Sequence, residues 1–185
     1  MYDVIALGEL LIDFTSSAPS GQGNPQFEAN PGGAPCNVLA MLARLGRRAA
    51  FVGKVGDDLF GWMLKGSIAA GALVLDPAAH TTLAFVQNAP DGDRAFSFYR
   101  DPGADELLTP EELPESALRS AGIFHFGSLS LTREPSRAAT RRAVALAAEG
   151  GAVVSFDPNL RPSLCKNLDA AREEMLWGCS VCQVL

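Results

Sequence analysis

Apolar positions along this chain follow three rhythms. The first is the short, mainly apolar run, at residues 4–7, 50–55, 123–126 and 152–156, which suits buried strands of a parallel sheet. The second has helical spacing. Val38, Leu42 and Leu45, with Leu39 beside them, predict a helix that buries this face, with Pro35 in its first turn and Gly46 as its C-terminal cap. Asp57 and Asp58 stand where a helix N-cap belongs, ahead of Phe60, Met63 and Leu64. Thr-Pro-Glu-Glu in 108–121 starts another helical stretch, with a second short helix after Pro114, and 135–149 is an amphipathic helix closed by Gly150-Gly151. Residues from Leu168 begin a helix, and 177–185 read as a buried final strand. The third rhythm has period two: Phe96 and Phe98 alternate with Ala95, Ser97 and Tyr99, and 81–88 and 94–100 flank Pro90-Asp-Gly-Asp93. This predicts an antiparallel hairpin with one apolar face. Residues 16–26 form a loop and 27–29 a short strand. Strands alternating with helices make this an α/β chain with a mainly parallel sheet between helical layers.

Its 185 residues suffice for one such domain. A net charge of -6 argues against nucleic acid or an anionic membrane surface as partner. No apolar run approaches the roughly 20 residues of a membrane span. Residues 2–7 already read as a core strand and leave no room for a signal peptide, so a cytoplasmic protein is expected, with Cys36, Cys165, Cys179 and Cys182 as free thiols. Cys179 and Cys182 form a C-x-x-C, but a zinc site needs two more ligands and only Cys165 is near, so no metal site is expected.

Candidate chemistry gathers at strand ends. Gly32-Gly33 lets the backbone come close to a ligand, and with Asn37 on the following helix it suits a polar, uncharged or anionic small molecule; a tight turn into a core helix fits equally well. Asp13, just beyond an apolar run, can accept hydrogen bonds from two neighbouring hydroxyls, or can serve as a turn carboxylate. Asp157, Asn159 and Arg161 crowd the end of another strand, where α/β sheets bind ligands, though Arg161 paired to Asp157 in a turn fits too. Arg100 reads as a surface residue, as a substrate contact, or as a partner of Asp101 or Asp105. His125 reads as a buried structural histidine. Gly53, Gly56 and Gly61 match neither nucleotide-loop spacing, and Gly8-Glu-Leu-Leu-Ile-Asp13 lacks the phosphate-binding glycines of a dinucleotide fold.

Gly32-Gly-Ala-Pro-Cys-Asn37, Gly46, Phe51-Val-Gly-Lys-Val-Gly-Asp-Asp58 and Phe60-Gly61 together resemble the N-terminal signature of the ribokinase/PfkB carbohydrate kinases. Gly8-Glu-Leu-Leu-Ile-Asp13 and Ser155-Phe-Asp-Pro-Asn-Leu-Arg161 are similar to its fructokinase branch, and the likeness runs from residue 2 to about 175. The resemblance implies a ribokinase-like sheet with a small β lid near 11–15, 27–29, 81–88 and 94–100, the C-terminal part being missing. It also implies ATP-dependent phosphorylation of a sugar, D-fructose to fructose 6-phosphate, with sugar hydroxyls held by Asp13, Gly32, Gly33 and Asn37. Arg100 and Arg161 would be secondary contacts from lid and cleft, and Arg161 carries the charge to stabilise the phosphate. The family's catalytic Gly-Ala-Gly-Asp is absent, so no residue here is expected to be the base, ATP and Mg2+ would bind through residues outside this chain, and the chain alone is expected to be inactive. The alternative is a non-catalytic sugar-binding partner protein or an inactive truncated product. A homodimer through the lid strands, a shortened link at 65–75 and a weakly stable fold are further expectations.

Overall fold

In the computed structural model, which describes residues 1–68, 71–88, 94–165 and 167–185, two sheets share the chain. The larger has five parallel strands in the order β5-β4-β1-β8-β9, formed by Val4–Leu7 (β1), Ala49–Gly56 (β4), Gly71–Asp76 (β5), Ile123–Gly127 (β8) and Val153–Asp157 (β9). Helices lie on both faces. Ala34–Arg44 (α1) and Leu59–Ser67 (α2) take one side, and Glu115–Arg119 (α3), Ser136–Glu149 (α4) and Leu168–Val181 (α5) take the other. Double coverage explains the unbroken apolar run of β1. Val4 and Ala6 of β1 point to Cys36, Leu39 and Leu64, while Ile5 and Leu7 point to Phe124, Phe126, Ala143 and Leu146. His125 is buried as anticipated, its Nδ1 3.1 Å from Ser155 Oγ, and burial holds its pKa below the usual histidine value.

The smaller sheet has the order β3-β2-β6-β7, from Leu11–Ser17 (β2), Gln26–Gly32 (β3), Leu83–Asn88 (β6) and Arg94–Tyr99 (β7). Its register puts Asp13 beside Asn30 and Ala84, and Ala84 beside Phe98, so these share a face. The other face is aromatic: Phe85 stacks on Phe14 at 4.9 Å and meets Phe27 and Tyr99 edge-on. The anticipated turn at 90–93 lies outside the described residues, as do residues 69 and 70 of the link.

Two expectations from the sequence need correction. α1 does not bury Val38 and Leu45; it buries Pro35, Cys36 and Leu39, and Met41 and Leu45 are 55% and 67% exposed. Pro35 sets the roll of the helix by packing where a Cβ on Gly8 would come within 2.6 Å of its Cγ. The second correction concerns residues 177–181, which are helical rather than strand. Asn167 caps α5 by accepting from the amides of Asp169 and Ala170. Trp177 then falls at helical spacing onto Phe126, 6.0 Å between centroids, with the Arg141 guanidinium over its other side at 4.3 Å.

Beyond α5, the chain turns back to the sheet at Val184, which bridges Ser155 in parallel and accepts from the Phe156 amide at 2.9 Å. The α1 face of the sheet is only partly covered. Val4, Ile123 and Val153 are register neighbours across β1, β8 and β9; Val4 is buried under α1, while Ile123 and Val153 are 39% and 41% exposed.

Candidate sugar site

The head of α1 is where the sequence candidates converge. Ala34 N–H, the first amide of the helix, donates to Glu9 Oε1 at 2.8 Å, so a side chain from beyond β1 caps α1 where Gly33 has none to offer. Gly33 has φ 119°, and a Cβ there would collide with the carbonyl oxygen of Glu9. A Cβ on Gly32 would collide with the Asp13 carboxylate. Gly33 is therefore required by close approach, and Asp13 lies directly against Gly32. Asp13 is half-buried and burial raises its pKa, so a poorly hydrated carboxylate is available to neutral hydroxyl donors. Asn37 is exposed on α1, one turn in from the pair, and its backbone N–H donates to Gly33 O at 3.0 Å. Asn30 shares Asp13's face and donates through Nδ2 to Thr15 Oγ1 at 3.1 Å.

A second group sits at the ends of β8 and β9. Arg161 Nη1 donates to Asn159 Oδ1 at 2.7 Å, and Ser128 Oγ donates to Asn159 O at 2.8 Å. Arg161 is thus tied to Asn159, not to Asp157, which ends β9 opposite Gly127. Its guanidinium lies 6.0 Å from the Phe96 ring centroid, which brings the lid strand β7 to this edge of the main sheet. Behind Arg161 opens a cavity of about 590 Å³ lined by Ser128, Leu129, Asn167, Glu174 and Met175. Pro35, at the head of α1, lies near Gly127 at the end of β8.

Arg100 is placed elsewhere. Its side chain is 2% exposed; Nη2 lies 2.7 Å from Asp105 Oδ2 and Nη1 3.4 Å from Glu106 Oε1. It also donates to Leu129 O and Thr132 Oγ1. The surface reading is therefore corrected, and Arg100 offers no free face to a sugar. Desolvation is tolerated there because two carboxylates and two further acceptors surround the guanidinium.

Glu9, Asn30 and Ser128 were not singled out from sequence. For Glu9 a signal existed: an acid wedged between the apolar runs 4–7 and 10–12 cannot reach water, so it needs a partner inside. Nothing linear marked Asn30 or Ser128, whose roles come from cross-strand register and from a contact thirty-one residues away.

Among the described residues no group of three or more His, Cys, Asp or Glu could hold a metal ion. No helix among them is long and apolar enough to cross a membrane.

The family model for pfkB family carbohydrate kinases matches residues 1–182. Probable fructokinase-4 of Arabidopsis thaliana is 48% identical over 180 residues, covering 94% of this chain and 55% of its own length. Fructokinase-1 of Oryza sativa subsp. japonica is likewise 48% identical over 180 residues, with 56% of its length covered. The chain thus spans little more than half the length of the curated relatives it matches. Among solved structures, fructokinase from Xylella fastidiosa superposes with TM-score 0.90 at 36% identity, covering 98% of this chain and 58% of that one. Fructokinase from Vibrio cholerae O395, in a fructose, ADP and calcium ion bound form, superposes with TM-score 0.84 at 31% identity, covering 98% and 58%.

Proposed function

Because the chain belongs to the pfkB family of carbohydrate kinases, we propose that it carries the sugar-recognition part of a fructokinase-type enzyme, which phosphorylates D-fructose at the expense of ATP. The observation that carries this reading is the Asp13 carboxylate lying against Gly32 at the head of α1. A polyol offers neighbouring hydroxyls. Asp13 accepts from two of them, the Gly32-Gly33 backbone lets the ring approach, and Asn37 supplies an amide from the helix side. Phe96, on the sugar-facing side of the lid, covers the ring toward Arg161. Arg161, held by Asn159, supplies the positive charge that meets a phosphate. Fructose and ADP bound to the Vibrio cholerae relative support the substrate assignment.

ATP and Mg2+ belong to the transfer step in the intact family enzyme. The residues of this chain hold and orient the sugar, with Arg161 toward the phosphate. The four free cysteines suit the reducing cytoplasmic setting of such an enzyme.

Calorimetric titration with D-fructose is expected to show saturable binding. Hydrogen bonds to a charged acceptor contribute about 1.5–3 kcal/mol each, so Asp13→Ala should weaken the affinity at least about tenfold while leaving the thermal transition in place. Absence of heat at saturating fructose, or an unchanged Asp13→Ala isotherm, would overturn the assignment.

The aromatic face of the lid, where Phe27 and Tyr99 are exposed, is proposed as the contact with a second copy. Sedimentation is expected to give a dimer at micromolar concentration, and Tyr99→Asp a monomer; a monomer in both would refute the pairing.

A further inference from the structure

We infer that Glu9 is a positioning residue for the sugar site: its carboxylate, reaching from the end of β1 to the first amide of α1, sets where Gly32-Gly33 stands and couples the site's hold on its ligand to pH.

Glu9 is 3% exposed, follows Gly8, and meets the Gly33–Ala34 junction twice. Oε1 accepts from Ala34 N–H at 2.8 Å, and its carbonyl oxygen occupies the space that a Cβ on Gly33 would need. Moving Glu9 therefore moves the pair, and with it the wall against which Asp13 rests. No residue inside α1 can replace this restraint, because Gly33 at the N-cap has no side chain. The second oxygen, Oε2, is buried with no hydrogen-bond partner. A carboxylate held by one amide and otherwise enclosed is poorly compensated as an anion.

The charged and titratable groups that face Glu9 come from three elements: Cys36 on α1, Asp105 in the 3-10 turn Ala104–Leu107, and Arg100 after β7. Arg100 is already engaged by Asp105 and Glu106, so it favours the Glu9 anion only at long range, and Asp105 opposes it. Cys36 stays a neutral thiol, since burial and then Glu9 itself push its pKa up. Burial raises Glu9 to about 7, although its own backbone N–H and the hydrogen bond from Ala34 favour its charge. Ionised, Glu9 draws the α1 head in through a charge-assisted bond and complements the positive end of the helix; protonated, it keeps only a weaker neutral bond. The site should therefore tighten as pH rises through neutrality and slacken below it.

The inference rests on the sugar-site reading for its fructose measurement only. Two measurements on the full chain test it. Charge-assisted bonds are roughly twice as strong as neutral ones, so the fructose dissociation constant is expected to rise about three- to tenfold from pH 8 to pH 6. In Glu9→Gln, whose carbonyl still accepts from Ala34 but does not titrate, that dependence should vanish. Independently of any sugar, the Ala34 amide resonance in 15N–1H spectra should titrate with a midpoint near the Glu9 value of about 7 and should be pH-independent in Glu9→Gln. An Ala34 amide indifferent to pH, or the same profile in both proteins, overturns the role of Glu9. Fructose that fails to bind at every pH while Ala34 titrates overturns the sugar reading and leaves the positioning role standing. Should Glu9→Gln not fold, the wild-type Ala34 titration decides alone.

Discussion

Mixed with a separately produced polypeptide spanning the part of the Xylella fastidiosa fructokinase that this chain does not match, the protein should form a one-to-one complex and gain ATP-dependent fructose phosphorylation that neither piece shows alone. The chain covers 58% of that structure, and two features of its own surface motivate the expectation. Val184 has already begun to pair with β9, so the sheet has an edge ready to extend. On the α1 side, the row from Val4 through Ile123 to Val153 passes from buried to exposed, beside the bare Val38, Met41 and Leu45 of α1. A helix laid there would cover both. Phosphoryl transfer rests on positioning and charge neutralisation, and each donor absent from an anion hole costs about 10²–10³ in rate, so the expected gain is many orders of magnitude. Met41→Asp, at an exposed position, should prevent the complex without unfolding this chain. A complex with fructose affinity and no turnover would instead favour a sugar-binding protein without transfer activity, and no complex at all would refute the surface.

Much of this architecture was legible in the residues because each local rule agreed with the global one. The run at 4–7 reads as a strand covered on both faces and those at 123–126 and 152–156 as its sheet partners, while Phe96 alternating with Ser97 and Phe98 announced a strand of the small sheet. The glycine pair and Asp13 were legible because close approach has a chemical signature, namely the absence of a side chain next to the presence of a carboxylate. What stayed hidden was orientation. α1 carries apolar residues around most of its girth, so its sequence alone did not say which stripe meets the sheet; Pro35 against Gly8 decided it. Trp177 illustrates the same limit, since an apolar tail of nine residues is equally a strand until one ring finds a seat on Phe126. Arg100 was ambiguous for another reason. A lone arginine at a strand end is usually solvated, and only the turn at Ala104–Leu107 brings Asp105 and Glu106 around it.

Arg100→Met should lower the unfolding free energy by about 3–5 kcal/mol, because breaking one side of a buried ion pair leaves its partners uncompensated. Asp105 would lose two contacts, from Nε at 2.8 Å and Nη2 at 2.7 Å, and retain the Thr82 hydroxyl at 2.5 Å. Glu106 would keep Arg133 at 3.3 Å, so the larger part of the penalty falls on Asp105. Urea unfolding followed by circular dichroism reads the loss directly. A loss of that size is a large fraction of a domain's ordinary 5–15 kcal/mol, so Arg100→Lys, which keeps the charge without the fork, provides a variant that still folds and should fall between the two. Adding Asp105→Asn to Arg100→Met removes the orphaned carboxylate and should restore part of the stability. Salt separates this from a surface effect: a pair enclosed to 2% on both sides is little screened, so 1 M sodium chloride, whose screening length is about 3 Å, should leave the difference between wild type and variant nearly intact. The same samples titrated with fructose distinguish a strut from a substrate contact. If Arg100→Lys binds fructose with unchanged affinity at reduced stability, the residue braces the base of the lid; if its stability is unchanged and its fructose affinity collapses, the guanidinium reaches the sugar and the buried cluster is not what holds it.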